Sequence, residues 1–365
     1  MERVRDRIMA EFHNLKVADI YKETKDCVVI AFDVPDELKE KFKYRQGQHL
    51  TLRKELNGED IRRNYSLCSS PLDGEWKVAV KTIRDGVFSN YAFNELKKGD
   101  TLEVMVPHGE FTVDVDVSAR NNYIAFAAGS GITPLLSIIK THLHQEPNST
   151  FKLFYLNRTV KSIIFKEEIE QLKNEFFERF QVFYFLTKEQ RDIPFLNGRF
   201  DKEKLAVLTK TFIDIPDTQH AFICGPQDMI YLIRDELQAA GMPKDNIHFE
   251  LFFTGSSEEE NKHIAEVLEQ RIDGTRVTII DGGKEFHFIM DDDFDTILDG
   301  ALAAGADLPF ACKGGVCSTC KCQVIEGSVK MKKNYALADK EVAQNYVLSC
   351  QAVPTSDKVV VDFDV

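Results

Sequence analysis

The sequence predicts a multidomain protein with three folds in series. An antiparallel β-barrel is expected over residues 1–115 and an α/β domain with a parallel sheet over 116–253. An acidic linker follows at 254–272, then a small α+β domain over 273–365. Three observations predict this. Short strand-like runs separated by turns fill the first part, with little helical patterning between them. Strand, turn and helix then alternate, the pattern of a parallel sheet covered by helices. Finally, five of the eight cysteines crowd into the last segment as Cys312, Cys317, Cys320, Cys322 and Cys350. A length of 365 residues agrees, since about 150 residues per domain gives two or three domains.

Composition narrows the classes. With 43% hydrophobic and 29% charged residues the chain is an ordinary globular one, neither disordered nor collagen-like. No apolar run approaches the roughly 18 residues of a membrane helix, so no membrane span is expected. The segment Met1–Arg7 mixes acids with arginines and leads into no apolar h-region, unlike a secretory signal; a cytoplasmic location is the expectation. The net charge of −13 disfavours a partner that is nucleic acid. Residues 273–365 carry 15 acidic against 9 basic side chains, which points to a basic protein partner there.

The elements follow in order. Val28–Phe32, His49–Leu52, Val78–Thr82 and Leu102–Val106 read as strands, punctuated by Gly47, Gly58, Asp73-Gly74, Asp85-Gly86 and Gly99-Asp100. Strand–helix pairs then run Tyr123–Ala127 with Leu135–Leu143, and Phe151–Leu156 with a helix through Phe165, Ile169 and Leu172. Gln181–Leu186 pairs with Lys202–Phe212 and Ala221–Cys224 with Met229–Ala240, before a closing strand, Ile247–Phe253. Thr254–Asn261 is polar and acidic, and Ile264, Val267, Leu268 and Ile272 could extend it as a short helix. Val277–Ile280 and Phe286–Ile289 flank Asp281-Gly282 as a hairpin. Thr296–Ala304 reads as a helix with Asp291–Asp295 near its positive end and Gly305 as its cap.

Cys312, Cys317, Cys320 and Cys350 have the C-x4-C-x2-C…C spacing of a plant-type [2Fe–2S] centre. Thiolates suit sulfide-bridged iron, and Gly314 and Gly315 let a loop wrap with its amides toward the sulfurs. The alternatives are a structural zinc or plain buried cysteines, although no second C-x2–4-C knuckle flanks Cys350. Cys322 falls outside the spacing and reads as a core cysteine of the next strand. With its hairpin, helix, cysteine loop and Leu348-Ser349-Cys350-Gln351-Ala352 ending, the segment resembles a plant-type ferredoxin domain of the β-grasp kind. That resemblance implies Cys312, Cys317, Cys320 and Cys350 as the metal ligands.

Arg63, Asn64, Tyr65 and Ser66 end a barrel strand, and Gly86, Val87, Phe88 and Ser89 form a tight turn. Arg63 offers a fork of donors for a pyrophosphate, Tyr65 a flat ring face, Ser66 a hydroxyl, and the turn its backbone amides. Each feature alone is more often structural. In this order they resemble the R-x-Y-S and G-x-x-S segments of the ferredoxin–NADP reductase superfamily. That resemblance implies FAD in the barrel, with Lys81 and Thr82 lining it.

Gly129, Ser130, Gly131, Ile132, Thr133 and Pro134 follow a strand and open a helix, a place where backbone can approach a pyrophosphate. Pro134 stands where a dinucleotide fingerprint has Gly or Ala. The run resembles the G-x-G-x-T-P segment of the same superfamily, and Cys224, Gly225 and Pro226 its C-G-P turn beside the nicotinamide. The second strand ends Tyr155-Leu156-Asn157-Arg158 with no acid for a ribose hydroxyl. NADPH is therefore expected, with Arg158 on the 2′-phosphate; NADH is the alternative. Phe252 matches the aromatic that families with this domain order place against the flavin. Ser66, Cys224 and Phe252 are the expected catalytic residues.

The domain order resembles the phthalate dioxygenase reductase type, and Arg62–Ser70, Tyr155–Arg158 and Leu196–Arg199 resemble the reductase components of bacterial phenylacetyl-CoA epoxidases. The resemblance implies a path from a two-electron donor through FAD to a one-electron centre, and then to a protein acceptor, a multicomponent oxygenase. A desaturase or a haem protein is the alternative acceptor, and a zinc-scaffolded, non-catalytic binding protein the alternative class.

Overall fold

The structure, a computed structural model, describes residues 11–252, 258–290 and 293–365, for 258–261 the backbone alone. The expectations for Met1–Arg7, Phe253, Thr254–Ser257, Asp291 and Asp292 lie outside these residues. The chain forms two compact units, one spanning His13–Phe252 and the other ending at Val365.

The first unit opens with six antiparallel strands: β1 (His13–Thr24), β2 (Cys27–Asp33), β3 (His49–Leu56), β4 (Glu59–Ser66), β5 (Trp76–Lys81) and β6 (Thr101–Val104), in the order β4-β3-β6-β1-β2-β5. Leu15, Val28, Ile30, Leu50, Leu52, Val78 and Val80 fill the barrel interior. Burying each such side chain contributes roughly 1.5–3 kcal/mol. Cys27 and Val29 point the other way and join the core of the α/β layer. The β2 sequence is continuously apolar for this reason. Helix α1 (Val87–Asn94) stands where the sequence predicts a tight turn. Eight residues with only Phe88, Ser89 and Ala92 buried are too few to show a helical period.

Five parallel strands follow, β7 (Asn122–Ala128), β8 (Thr150–Asn157), β9 (Phe180–Leu186), β10 (His220–Gly225) and β11 (Ile247–Leu251), in the order β11-β10-β7-β8-β9. Helices α2 (Ile132–Gln145), α3 (Lys166–Glu175), α4 (Lys202–Thr211) and α5 (Gln227–Ala239) connect them. The chain leaves β7 toward β8 on one side and returns as β10 on the other. The crevice at the carboxyl ends of β7 and β10 is thus the switch point where such sheets take ligands. Helix α2 is buried on nearly every face, which its Ile and Leu content requires. Its hydroxyls bind it to the barrel side: Ser137 Oγ donates to the Ser69 carbonyl at 2.6 Å, and Thr141 and Ser70 hydroxyls meet at 2.7 Å.

The second unit begins its described part with α6 (Glu258–Leu268), so part of the acidic linker is helical. Then come β12 (Arg276–Asp281), β13 (Lys284–Ile289), α7 (Ile297–Ala303), β14 (Lys321–Glu326), β15 (Val329–Met331), α8 (Asp339–Ala343), β16 (Tyr346–Leu348), β17 (Ala352–Pro354) and β18 (Lys358–Asp362). A mixed sheet β13-β12-β18-β14-β16 has a β15-β17 ribbon beside it. Thr296 caps α7 by accepting from the Asp299 amide. Cys322 is fully buried in β14, a core cysteine as expected.

Candidate functional site

The crevice gathers residues from both layers of the first unit. Arg63, Asn64, Tyr65 and Ser66 end β4. Arg63 is exposed, its guanidinium donating to the Arg62 carbonyl at 2.7 Å. The Tyr65 ring lies 5.6 Å from that of Phe88, and burial raises its phenol pKa. Asn64 accepts from Thr51 Oγ1 at 2.8 Å and meets His49 Nε2 at 2.9 Å. Gly86 precedes α1; a Cβ there would collide with Ile83 and the Ser89 hydroxyl, and no side chain caps the helix. The Val87 and Phe88 amides could therefore cradle a phosphate. Thr82 donates to the Asp26 carbonyl at 3.2 Å. Lys81 sits 3.7 Å from Asp26, and its ammonium also faces the Gly129 turn, 3.9 Å from where a Cβ would stand.

Gly129, in the left-handed region at φ 53°, starts a short turn through Ser130 and Gly131 into α2, where Ile132, Thr133 and Pro134 are buried. Thr133 Oγ1 donates to the Ser130 carbonyl at 3.0 Å. A Cβ on Gly131 would strike the backbone carbonyl of Cys224, so this turn and the Cys224-Gly225-Pro226 turn touch through bare backbone. Cys224 is fully buried and held protonated by that burial and by Glu250 beside it in β11. Phe252 follows β11 and is 39% exposed, so it is not a core residue. Arg158 is exposed past the end of β8, and the Asn157 side-chain nitrogen beside it is buried without a hydrogen-bond partner.

Sequence reasoning passed over two acids here. Glu250 Oε2 accepts from the Ser66 hydroxyl at 3.1 Å, while Oε1 is 3.9 Å from His49 Nδ1. Burial pushes the Glu250 carboxyl up to about 7, against the pull of the Ser66 hydrogen bond. Burial likewise lowers His49 to about 3, so its imidazole is neutral. Glu189, after β9, reaches the Val160 amide at 2.9 Å and puts a carboxylate at the strand end that looked acid-free. No local pattern marks either acid, since both matter through strand neighbours distant in sequence.

In the second unit Cys312, Cys317, Cys320 and Cys350 are free thiols on one loop and the start of the β16–β17 turn. They meet as two pairs, Cys312 with Cys317 and Cys320 with Cys350. The hydrogen bond from Cys317, then amides of Gly314, Val316 and Cys317, lower Cys312 to about 6. Gly314 N lies 3.3 Å from Cys312 Sγ. Lys313 and Ser318 hold left-handed backbone at φ 49° and 50°, which wraps the loop round the sulfurs.

Known families match in series along the chain. The oxidoreductase FAD-binding domain family matches residues 14–113, the oxidoreductase NAD-binding domain family 126–235, and the 2Fe-2S iron–sulfur cluster binding domain family 279–355. The chain is 46% identical over 356 residues to a component of the 1,2-phenylacetyl-CoA epoxidase of Escherichia coli (strain K12), covering 98% of this chain and 99% of that one. The chain belongs to this oxygenase-reductase family. Another relative, the ferredoxin reductase component of 3-ketosteroid-9-alpha-monooxygenase from Rhodococcus rhodochrous, is 36% identical, with 96% of each chain covered. Phthalate dioxygenase reductase shares the fold at a TM-score of 0.59 and 24% identity, over 96% of this chain and 98% of that one.

As an oxygenase reductase the chain is an NAD(P)H-dependent flavin iron–sulfur oxidoreductase, and its residues fit the three groups that such a reductase carries. The uncapped α1 N-terminus and the exposed Arg63 suit the flavin's phosphates. The bare-backbone Gly131–Cys224 contact suits a dinucleotide. Two thiol pairs suit a two-iron centre, in which each tetrahedral iron shares two sulfides and needs two thiolates.

Proposed function

We propose that this reductase draws electron pairs from NADPH and delivers single electrons to a multicomponent oxygenase of the phenylacetyl-CoA epoxidase kind, in the cytoplasm. The observation that carries the reading is the 46% identity to the epoxidase component over nearly the full length of both chains. Flavin and cluster, when bound, would supply the conversion from paired to single electrons, while the protein supplies binding, orientation and electrostatics. Arg63, Tyr65 and the amides of Val87, Phe88 and Ser89 would hold FAD, Gly86 allowing its close approach, with Asn64, Lys81 and Thr82 around it. Ser66 and Cys224 would face the reacting rings, and Phe252 would cover the flavin. Gly129–Pro134 with Gly225 and Pro226 would hold the dinucleotide, and the four paired cysteines the iron. The divisions 1–115, 116–253, 254–272 and 273–365 would be the functional modules.

Arg158 supports NADPH, as an exposed cation beside the expected ribose position. A second reading, NADH as donor, is favoured by the Glu189 carboxylate on the Val160 amide. Steady-state kinetics on both nucleotides separates them. Arg158→Ala should raise the KM for NADPH about tenfold and leave that for NADH nearly unchanged. Glu189→Gln should improve NADPH alone; equal effects on both nucleotides defeat the NADPH reading. For the acceptor, anaerobic NADPH should bleach the flavin bands and give a reduced [2Fe–2S] resonance that the oxygenase components discharge. A colourless, iron-free protein would overturn the whole reading.

A further inference from the structure

Gln351 directly follows Cys350, yet its side chain is only 4% exposed. An amide buried this deeply is costly unless its polar atoms are partnered. Its Nε2 makes two contacts, one to the cysteine loop at 2.9 Å from the Lys313 carbonyl and one to Cys350 Sγ in its own turn at 3.5 Å. Lys313 is one of the loop's left-handed non-glycine residues, so Gln351 pins a backbone conformation that rarely holds itself. The loop is also shaped to the glutamine stem. A Cβ on Gly315, itself at φ 78°, would stand 3.2 Å from Gln351 Cγ and 3.2 Å from the Lys333 carbonyl. The Gln351 carbonyl accepts from the Lys332 amide at 2.9 Å, fixing the residue from its other side.

We propose that Gln351 is a positioning residue that sets the potential of the iron–sulfur centre by donating its side-chain N–H to the Cys350 sulfur. The inference rests on the reading that Cys350 is a cluster ligand. A donor aimed at a ligand sulfur stabilises negative charge, and the reduced centre carries one more negative charge than the oxidised one. The hydrogen bond therefore favours reduction and raises the potential. Because Nε2 also grips the Lys313 carbonyl, its aim at the sulfur is fixed by the loop carrying Cys312. One residue thus couples the ligand at one end of the segment to the loop at the other.

The test is a potentiometric titration of the purified holoenzyme followed by electron paramagnetic resonance. Gln351→Met keeps length and apolar volume but has no donor, and Gln351→Glu keeps shape but replaces the amide by a carboxylate. Both midpoint potentials should shift below wild type, Glu further than Met at neutral pH, with the flavin potential unmoved. A Met variant with full iron and sulfide and a wild-type potential overturns the inference and leaves the ligand reading intact. Wild-type protein lacking iron and acid-labile sulfide overturns the ligand reading itself. If the variants lose the cluster, wild-type protein labelled with 15N at glutamine side chains decides. Its reduced state should show a 15N hyperfine coupling, and none sinks the proposal.

Discussion

At the scale of single residues, Glu250 is the group whose chemistry is most altered by its place. Its carboxyl is buried between Ser66 and His49 and, by that burial, titrates at about 7, well above an ordinary glutamate. The folded state thus binds a proton that the unfolded chain, with an ordinary glutamate, releases. The associated stability is present at acid pH and is lost as pH rises from about 4.5 to about 7. A carboxyl poised there can pass a proton through the Ser66 hydroxyl to whatever lies against it. Flavin reduction by the nicotinamide donor should therefore show an apparent pKa near 7 that vanishes in Glu250→Gln, with the rate falling about a hundredfold. Stopped-flow rates across pH 5 to 9 check this, and an unchanged profile would rule the role out. The sequence names the residue types along β11, but only the pairing of β11 with β10, and the approach of β4, shows which one meets Ser66. By contrast, the cysteine spacing was legible because three of its four members are local.

At the scale of elements, α2 links the Gly129–Gly131 turn to the barrel, and its two ends have different roles. Its start depends on Gly131, where any side chain would meet the rigid carbonyl of Cys224. Gly131→Ala should weaken binding of the nicotinamide nucleotide tenfold or more while the flavin spectrum stays intact; equal loss of flavin would mean general unfolding instead. Near its other end His142 Nδ1 meets Glu146 at 2.9 Å, both fully buried. Tyr123 Oη and the Asp116 amide also donate to that carboxylate, at 2.9 and 3.1 Å. Burial alone would raise Glu146, and the hydrogen bonds from His142, Ser149 and Asp116 outweigh it to hold the group at about 2. Removing the carboxylate leaves the buried donors of His142, Tyr123 and Asp116 without their acceptor, so Glu146→Ala should cost about 1–3 kcal/mol. Urea denaturation measures it, and a loss below about 1 kcal/mol contradicts this account. The alternation of strand and helix announced α2, because Pro134 and the apolar run after it are local signals. Helix α1 was not announced, since its short length leaves the period unreadable. The His142–Glu146 network was hidden too, because buried polar partners come from segments far apart in the chain.

At the scale of the whole molecule, charge is the simplest lever. The protein carries −13 overall, and residues 273–365 alone hold 15 acidic against 9 basic side chains. Steering by such a field weakens as the screening length falls from about 10 Å at 0.1 M salt to about 3 Å at 1 M. Reduction of the oxygenase should slow several-fold over that range, whereas electron transfer within the reductase should not. A salt-independent second-order rate would assign docking to apolar contacts. The order of the folds was readable because the periodicity changes from segment to segment. The strand order of the last sheet was not, and it has its own consequence. Strand β18 lies between β12 and β14, so the middle of that sheet is made from its last-synthesised strand. On the ribosome, the loop bearing Cys312, Cys317 and Cys320 emerges before the scaffold around it can close, whereas every strand of the barrel and the parallel sheet is already available. A cluster held jointly by that loop and Cys350 would then assemble only once β18 has emerged, after the first unit has had its chance to fold.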